Sequence, residues 1–200
     1  MRFKHYINYG TAKTATSWLF KNLRFNSEKE PSIQIVHNGV YQNYFAEQDF
    51  SVNFNTNLWQ LDSYQLALLD SVATHRSVIF RDPYSYANSL YNFWKSDIDD
   101  SIFISTFLQY FDYVPIMKRL PANTMILLYD NIKKDPQAVL DKITNFLEIP
   151  SVQLQPMYIN KTTYTKTLTF HDRDIIIINN FIDNFEDLIE QDLSHWKMHV

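Results

Sequence analysis

The chain has no cysteine, and its 200 residues include only two glycines, Gly10 and Gly39. Without a thiol there is no disulfide framework, no thiolate-held zinc or iron–sulfur cluster and no cysteine nucleophile; the redox compartment stays open. Two glycines so far apart write neither G-x-G-x-x-G nor G-x-x-x-x-G-K-[ST], which excludes the usual dinucleotide and Walker A loops. Long apolar runs are also missing. The longest aliphatic run, Ile175 to Ile178, falls far short of the roughly 20 residues that span a bilayer. Met1-Arg2-Phe3-Lys4-His5-Tyr6-Ile7 lacks the apolar core of a signal peptide. A cytoplasmic protein without a membrane partner is expected. Basic charge is not in excess either: 18 Lys and Arg against 22 Asp and Glu leave a net charge of −4, which argues against nucleic acid as a partner.

What is present describes a globular protein, 46% hydrophobic and 16% aromatic, with bulk for a well-filled core. The length suits one domain, and no repeat or Gly/Ser linker divides it, so a single domain over 1–200 is expected. Short apolar runs alternate with amphipathic stretches, which predicts an α/β fold. Phe3 to Tyr9 reads as a strand ending at Gly10, with Thr16 or Ser17 capping a helix from Trp18 to about Arg24. Leu61, Tyr64, Leu68, Leu69 and Val72 form a helical stripe behind Asp62, followed by a buried strand Ser77–Phe80. Tyr84, Ala87, Leu90, Tyr91 and Trp94 make a second stripe. One helix is expected over Ile102–Lys118, a strand over Met125–Tyr129, a helix from Pro136 and a last helix from Asp172 to Asp192. Each stripe is read as core packing.

Two stretches carry chemistry. Gly10-Thr11-Ala12-Lys13-Thr14-Ala15-Thr16-Ser17 joins the first strand to the first helix. It offers helix-start amides, several hydroxyls and one mobile cation, a match for a phosphate-like anion. A capped helix with a solvated lysine is the plainer alternative. Position favours binding, because open α/β sheets take ligands at the carboxyl ends of their strands. In the second stretch, Arg81-Asp82-Pro83 leaves a buried strand and Ser89 follows eight residues after Arg81, inside the next helix. Arg81 can clamp a phosphate through its fork while Ser89 donates a hydroxyl. A structural salt bridge from Arg81 to Asp82 or Asp130 is the competing reading. The two stretches together suggest a ligand with two phosphate-type groups.

These residues resemble the sulfotransferase family, nearer its carbohydrate and bacterial type than its cytosolic phenol type. Gly10 to Ser17 is similar to the 5′-phosphosulfate loop, G-x-x-K-[ST]-G-T-[TS], and Arg81 to Ser89 is similar to the 3′-phosphate motif, R-x-P-x(5)-S. Lys29-Glu30-Pro31, the segment Met125–Asp130 with Pro136, Asn160–Tyr164 and Leu193-Ser194-His195-Trp196 follow in the family's order. The resemblance implies a three-layer P-loop-like fold, a short parallel sheet flanked by helices. It also implies metal-free transfer of a sulfuryl group from 3′-phosphoadenosine 5′-phosphosulfate to a hydroxyl or amine of a small molecule or glycan. Gly10, Thr11, Ala12, Lys13, Thr14, Ala15, Thr16 and Ser17 would hold the phosphosulfate, with Lys13 on the leaving oxygen. Arg81 and Ser89 would hold the 3′-phosphate, and Lys161, joined by Lys166, would close over the nucleotide. The catalytic base implied by the family is Glu30, with His37 as the alternative. One departure stands in the loop itself: Ala15 occupies the place of the family's glycine, which is acceptable where its φ is negative. A P-loop nucleotide kinase or NTPase, or a non-catalytic domain of the same fold, are the competing readings.

Overall fold

The computed structural model describes residues 4–10, 13–16, 18–19, 22–23, 34–36, 50–53, 67, 71, 73–94, 98–155 and 166–200. Five parallel strands, β1 (Lys4–Gly10), β2 (Gln34–Val36), β3 (Phe50–Asn53), β4 (His75–Phe80) and β5 (Met125–Leu128), form one sheet in the order β2-β3-β1-β4-β5. The helices described in full are α1 (Pro83–Trp94), α2 (Asp100–Tyr110), α3 (Tyr113–Arg119), α4 (Tyr129–Lys134), α5 (Pro136–Phe146) and α6 (Asp172–Ile189), and helical backbone at Thr16, Trp18, Leu19, Asn22 and Leu23 belongs to a first helix after β1. This is the α/β class that the alternating pattern predicts, a small parallel sheet flanked by helices. The described residues fall into two compact units, 1–81 with 121–161 and 82–120 with 162–200.

The sheet and its packing define the first unit. Tyr6, Ile79 and Leu127 bury one sheet face against Leu19 and Leu23 of the first helix and against Val139, Leu140, Ile143 and Leu147 on and just beyond α5. The i, i+3, i+4 spacing of those α5 residues makes the burial possible. Asp135 starts the helix by accepting the Ala138 amide, and Pro136 occupies its first turn. Within the sheet, the Tyr6 and Ser77 hydroxyls hydrogen-bond at 2.5 Å, and Asn8 Nδ2 donates to Ser77 Oγ at 2.7 Å. Burial pushes the Tyr6 phenol well above its ordinary range, so it stays protonated and able to donate. A one-residue slip of β1 against β4 would separate these buried polar groups and turn the side chains of the slipped strand to the other face.

The second unit is held by aromatic side chains. Tyr91, Phe103, Phe107, Phe111, Tyr113, Phe185 and Trp196 follow one another in edge-on, tilted or stacked contacts with centroids 4.4–6.3 Å apart. At the chain end, Asn179 exchanges hydrogen bonds with both backbone groups of Met198, and Lys197 Nζ lies 2.5 Å from Asp183 and 3.0 Å from Glu186.

Several expected boundaries shift. The single helix expected over Ile102–Lys118 is two, broken at Phe111-Asp112, because Asp112 accepts the Val114 amide and starts α3. Tyr129 begins α4 instead of ending β5. Trp94, expected on the buried stripe of α1, is 61% exposed at the helix end, whereas Tyr84, Ala87, Leu90 and Tyr91 are buried. The last helix stops at Ile189, with Glu190 taking the left-handed conformation that closes it. The stripe from Leu61 to Val72 lies outside the described residues, apart from helical backbone at Ala67 and Ser71.

Two residues of α6 provide a paired test of the aromatic core. Phe185 is fully buried and Ile176 is exposed, so Phe185→Ala should lower unfolding stability by about 3–5 kcal/mol and Ile176→Ala by no more than about 0.5 kcal/mol. Urea denaturation followed by tryptophan fluorescence measures both; equal losses would contradict the packing described.

Candidate functional site

In the strand order β2-β3-β1-β4-β5, the chain leaves β1 toward one side of the sheet and returns on the other. That reversal opens a crevice at the carboxyl end of β1, where ligands of α/β sheets bind. Gly10, the last residue of β1, pairs with Ile79, so β4 runs one residue further before it releases Arg81. Both chemistry-bearing stretches therefore leave the sheet side by side.

Past β1, the loop alternates in handedness. Lys13 has φ 68° and Ala15 φ 69°, while Thr14 between them does not take positive φ. A left-handed residue alternating with a right-handed one can turn successive amides toward a common centre, the backbone geometry of anion-binding concavities. Ala15 carbonyl accepts the Leu19 amide at 3.0 Å, so the helix begins at Ala15 and not at Thr16 or Ser17. Thr16 is already helical. An alanine at this place offers the first helical amides no side-chain acceptor, which leaves the task to neighbouring groups or to a bound anion. Thr14 and Thr16 are buried beside it.

The condition set for Ala15 is not met: its φ is positive. For a residue with a Cβ the left-handed conformation costs about 1–2 kcal/mol, and Lys13 bears the same cost. Two interactions hold Lys13 there. Arg81, 6% exposed, donates from Nη1 to the Lys13 carbonyl at 2.8 Å. Its guanidinium carbon also sits 4.4 Å from the centre of the Tyr129 ring. A hydrogen bond from a charged donor contributes about 1.5–3 kcal/mol and a cation–π contact about 0.5–2 kcal/mol, enough to outweigh the backbone cost at Lys13. Burial, and secondly the positive charge of Arg81, hold the Lys13 ammonium below the usual lysine range. A nearby dianion would reverse that shift.

Gly10, Lys13, Thr14, Ala15, Thr16 and Arg81 thus belong to the first unit and lie at or just past the adjoining carboxyl ends of β1 and β4. Ser89 lies in α1 of the second unit and is buried. Both carboxylate oxygens of Asp82, weighed above as a salt-bridge partner of Arg81, accept the Tyr84 and Ser85 amides that start α1. Lys166, expected to help close over a nucleotide, reaches Asp100 at 2.5 Å and the face of Tyr91 at 5.5 Å. Thr11, Ala12, Ser17, Glu30, His37 and Lys161 lie outside the described residues. Tyr129 is the residue that sequence reasoning missed. The available signal was an aromatic at the junction between a buried apolar run and Asp130, the acidic start of a helix.

Ala15 supplies a direct test of the loop. Ala15→Gly removes the Cβ clash of about 1–2 kcal/mol and adds back about 0.5–1 kcal/mol of chain entropy. The net gain should raise the melting temperature of the free protein by about 2–4 °C. An unchanged or lowered melting temperature would show that Ala15 carries no such strain.

Comparisons with known proteins bear on the family and the fold. Residues 9–172 match the family model described as the sulfotransferase domain. A sulfotransferase of Alicyclobacillus acidocaldarius superposes with a TM-score of 0.64 at 14% identity, covering 98% of this chain and 99% of that one. Mouse sulfotransferase SULT7A1, solved in complex with PAP, gives 0.54 at 17% identity over 90% of this chain and 63% of that one. The sulfotransferase domain of the curacin biosynthetic pathway gives 0.50 at 11% identity, covering 96% and 99%. No curated protein matches the sequence. The structural likenesses speak for the P-loop-like fold, and the family match includes the β1 loop from Tyr9 onward, Arg81 and Ser89; the chain belongs to the sulfotransferase family.

Proposed function

We propose that the protein transfers a sulfuryl group from 3′-phosphoadenosine 5′-phosphosulfate to a hydroxyl or amine of a small molecule or glycan, as a single domain acting in the cytoplasm. The observation that carries this reading is the hydrogen bond from Arg81 to the Lys13 carbonyl, which places two cations beside a left-handed, amide-lined loop. The fit is chemical as well as geometric. The concavity suits a tetrahedral anion, and the buried Thr14 and Thr16 can contribute hydroxyls to it. The donor supplies an activated S–O bond to phosphate; the chain's own residues position and neutralise.

In this reading Gly10, Thr11, Ala12, Ala15 and Ser17 complete the loop around the phosphosulfate, and Lys13 brings its ammonium to the leaving phosphate oxygen. Arg81 and Ser89 hold the 3′-phosphate, and Lys161 closes over the nucleotide. Glu30, or His37 in its place, accepts the proton of the attacking hydroxyl or amine. The acceptor oxygen or nitrogen then bonds to sulfur as the bond from sulfur to the phosphate oxygen breaks in line. No step calls for a metal.

Adenosine 3′,5′-bisphosphate without metal should raise the melting temperature by about 5–10 °C at a hundredfold excess over its Kd. ATP with magnesium should have little effect. Preferential stabilisation by ATP and magnesium would replace this reading with a kinase or NTPase, and silence with both ligands would replace it with a non-catalytic domain. Lys13→Ala should lower transfer by about 10²–10³-fold. A second check follows the lysine side chains by NMR. In the free protein, Lys13 should lose its proton at lower pH than Lys166 and Lys197, which their acidic partners hold above the ordinary range. Adding adenosine 3′,5′-bisphosphate should move the Lys13 titration upward; a Lys13 titration indifferent to the ligand would remove it from the anion site.

A further inference from the structure

Arg81 leaves β4 with its guanidinium committed in two directions: Nη1 to the Lys13 carbonyl and one side to the Tyr129 ring. Tyr129 is the first residue of α4, directly after β5, and β5 pairs with β4 so that Phe80 lies opposite Leu128. The residues that follow these partners, Arg81 and Tyr129, are therefore placed next to each other by the sheet itself. Lys133, one turn along α4, brings its ammonium to 6.0 Å from the same ring. We infer that Tyr129 is a positioning residue: its ring holds the Arg81 guanidinium, and the guanidinium holds the Lys13 carbonyl and so the left-handed turn that presents Lys13.

The argument is mechanical. A peptide held at φ 68° relaxes toward negative φ when nothing grips it. Relaxation at Lys13 would swing its carbonyl away, redirect the Thr14 amide and break the alternation that makes the loop concave. A guanidinium at the end of a long side chain has many orientations; a ring against one side removes most of them, and a planar fork so restrained keeps its N–H groups aimed. Burial of Arg81 adds to the effect, because a charge shielded from water gains more from each partner it keeps. Tyr129 thus acts on the loop through Arg81 and needs no contact with the reacting atoms.

This inference rests on the proposed sulfuryl-transfer reading for its catalytic readout, while its structural readout stands apart. Tyr129→Leu keeps apolar bulk and removes the π face; Tyr129→Phe keeps the face. In calorimetric titrations, Tyr129→Leu should weaken binding of adenosine 3′,5′-bisphosphate about tenfold, whereas Tyr129→Phe should bind like the wild type. In sulfuryl transfer at saturating donor, Tyr129→Leu should also lower kcat, since a displaced Lys13 no longer meets the leaving oxygen. In the ligand-free protein, the Lys13 titration should move toward the ordinary lysine range in Tyr129→Leu, as the Arg81 charge swings away, and stay in place in Tyr129→Phe. Wild-type protein that binds no bisphosphate overturns the functional reading and leaves the Lys13 titration to decide the inference. Wild-type binding with Tyr129→Leu unchanged in affinity and in Lys13 titration overturns the inference, as does a Tyr129→Phe variant as impaired as Tyr129→Leu.

Discussion

The parallel pairing of β1 with β4, Gly10 opposite Ile79, is the constraint on which the site depends. It sets the loop after Gly10 beside Arg81 and leaves a single guanidinium to bridge the two strand ends. The register does not rest on hydrophobic alternation alone. Tyr6, Asn8 and Ser77 form a buried hydroxyl and amide cluster across the same two strands, and a shifted pairing would strand those groups without compensation in an apolar interior. Specificity of pairing, chain direction at the crevice and reach of Arg81 are consequences of one arrangement of hydrogen bonds.

The two units solve the problem of stability differently. In the first, aliphatic side chains at helical spacing on α5 seal a sheet face whose far end carries the loop. In the second, aromatic rings run from Tyr91 to Trp196 and join four helices, α1, α2, α3 and α6, and the chain end. Rings bury large areas with few rotatable bonds, so they order helices without a sheet to template them. The high aromatic fraction of the composition thus has a definite address, as does the asparagine that recurs along the chain. Asn88 and Asn92, one turn apart on α1, bond the backbone of Lys166 and Leu168 as a neighbouring strand would.

Much of this was legible in the sequence. The fold class followed from alternation of short apolar runs with amphipathic stretches, and Lys13 and Arg81 stood out because each sits in a chain-local pattern of turn, hydroxyl and helix-start residues. The hidden parts depend on contacts distant in sequence or on geometry indifferent to residue type. The strands β2 and β3 are three and four residues long, too short for periodicity to register. Tyr129 matters only because β5 lies beside β4, which no local pattern states. The break between α2 and α3 carries no glycine; Asp112 caps α3, a role that aspartate also fills on ordinary helical surfaces, and Pro115, with no amide to donate back to Phe111, is the local signal that favoured it. Alanine has no preference for positive φ, so the handedness of Ala15 is imposed by the loop around it.

The scarcity of glycine reaches beyond the loop. Among the described residues, Lys13, Ala15, Glu148 and Glu190 take positive φ, and each has a side chain. A glycine would sit at such corners without strain, yet it would also let the unfolded chain wander more widely. A residue with a Cβ narrows the unfolded ensemble, and part of the native cost is offset there. Each such corner is therefore disfavoured in the disordered chain and is bent only by contacts made on folding, so the loop after Gly10 acquires its shape together with the sheet that carries Arg81.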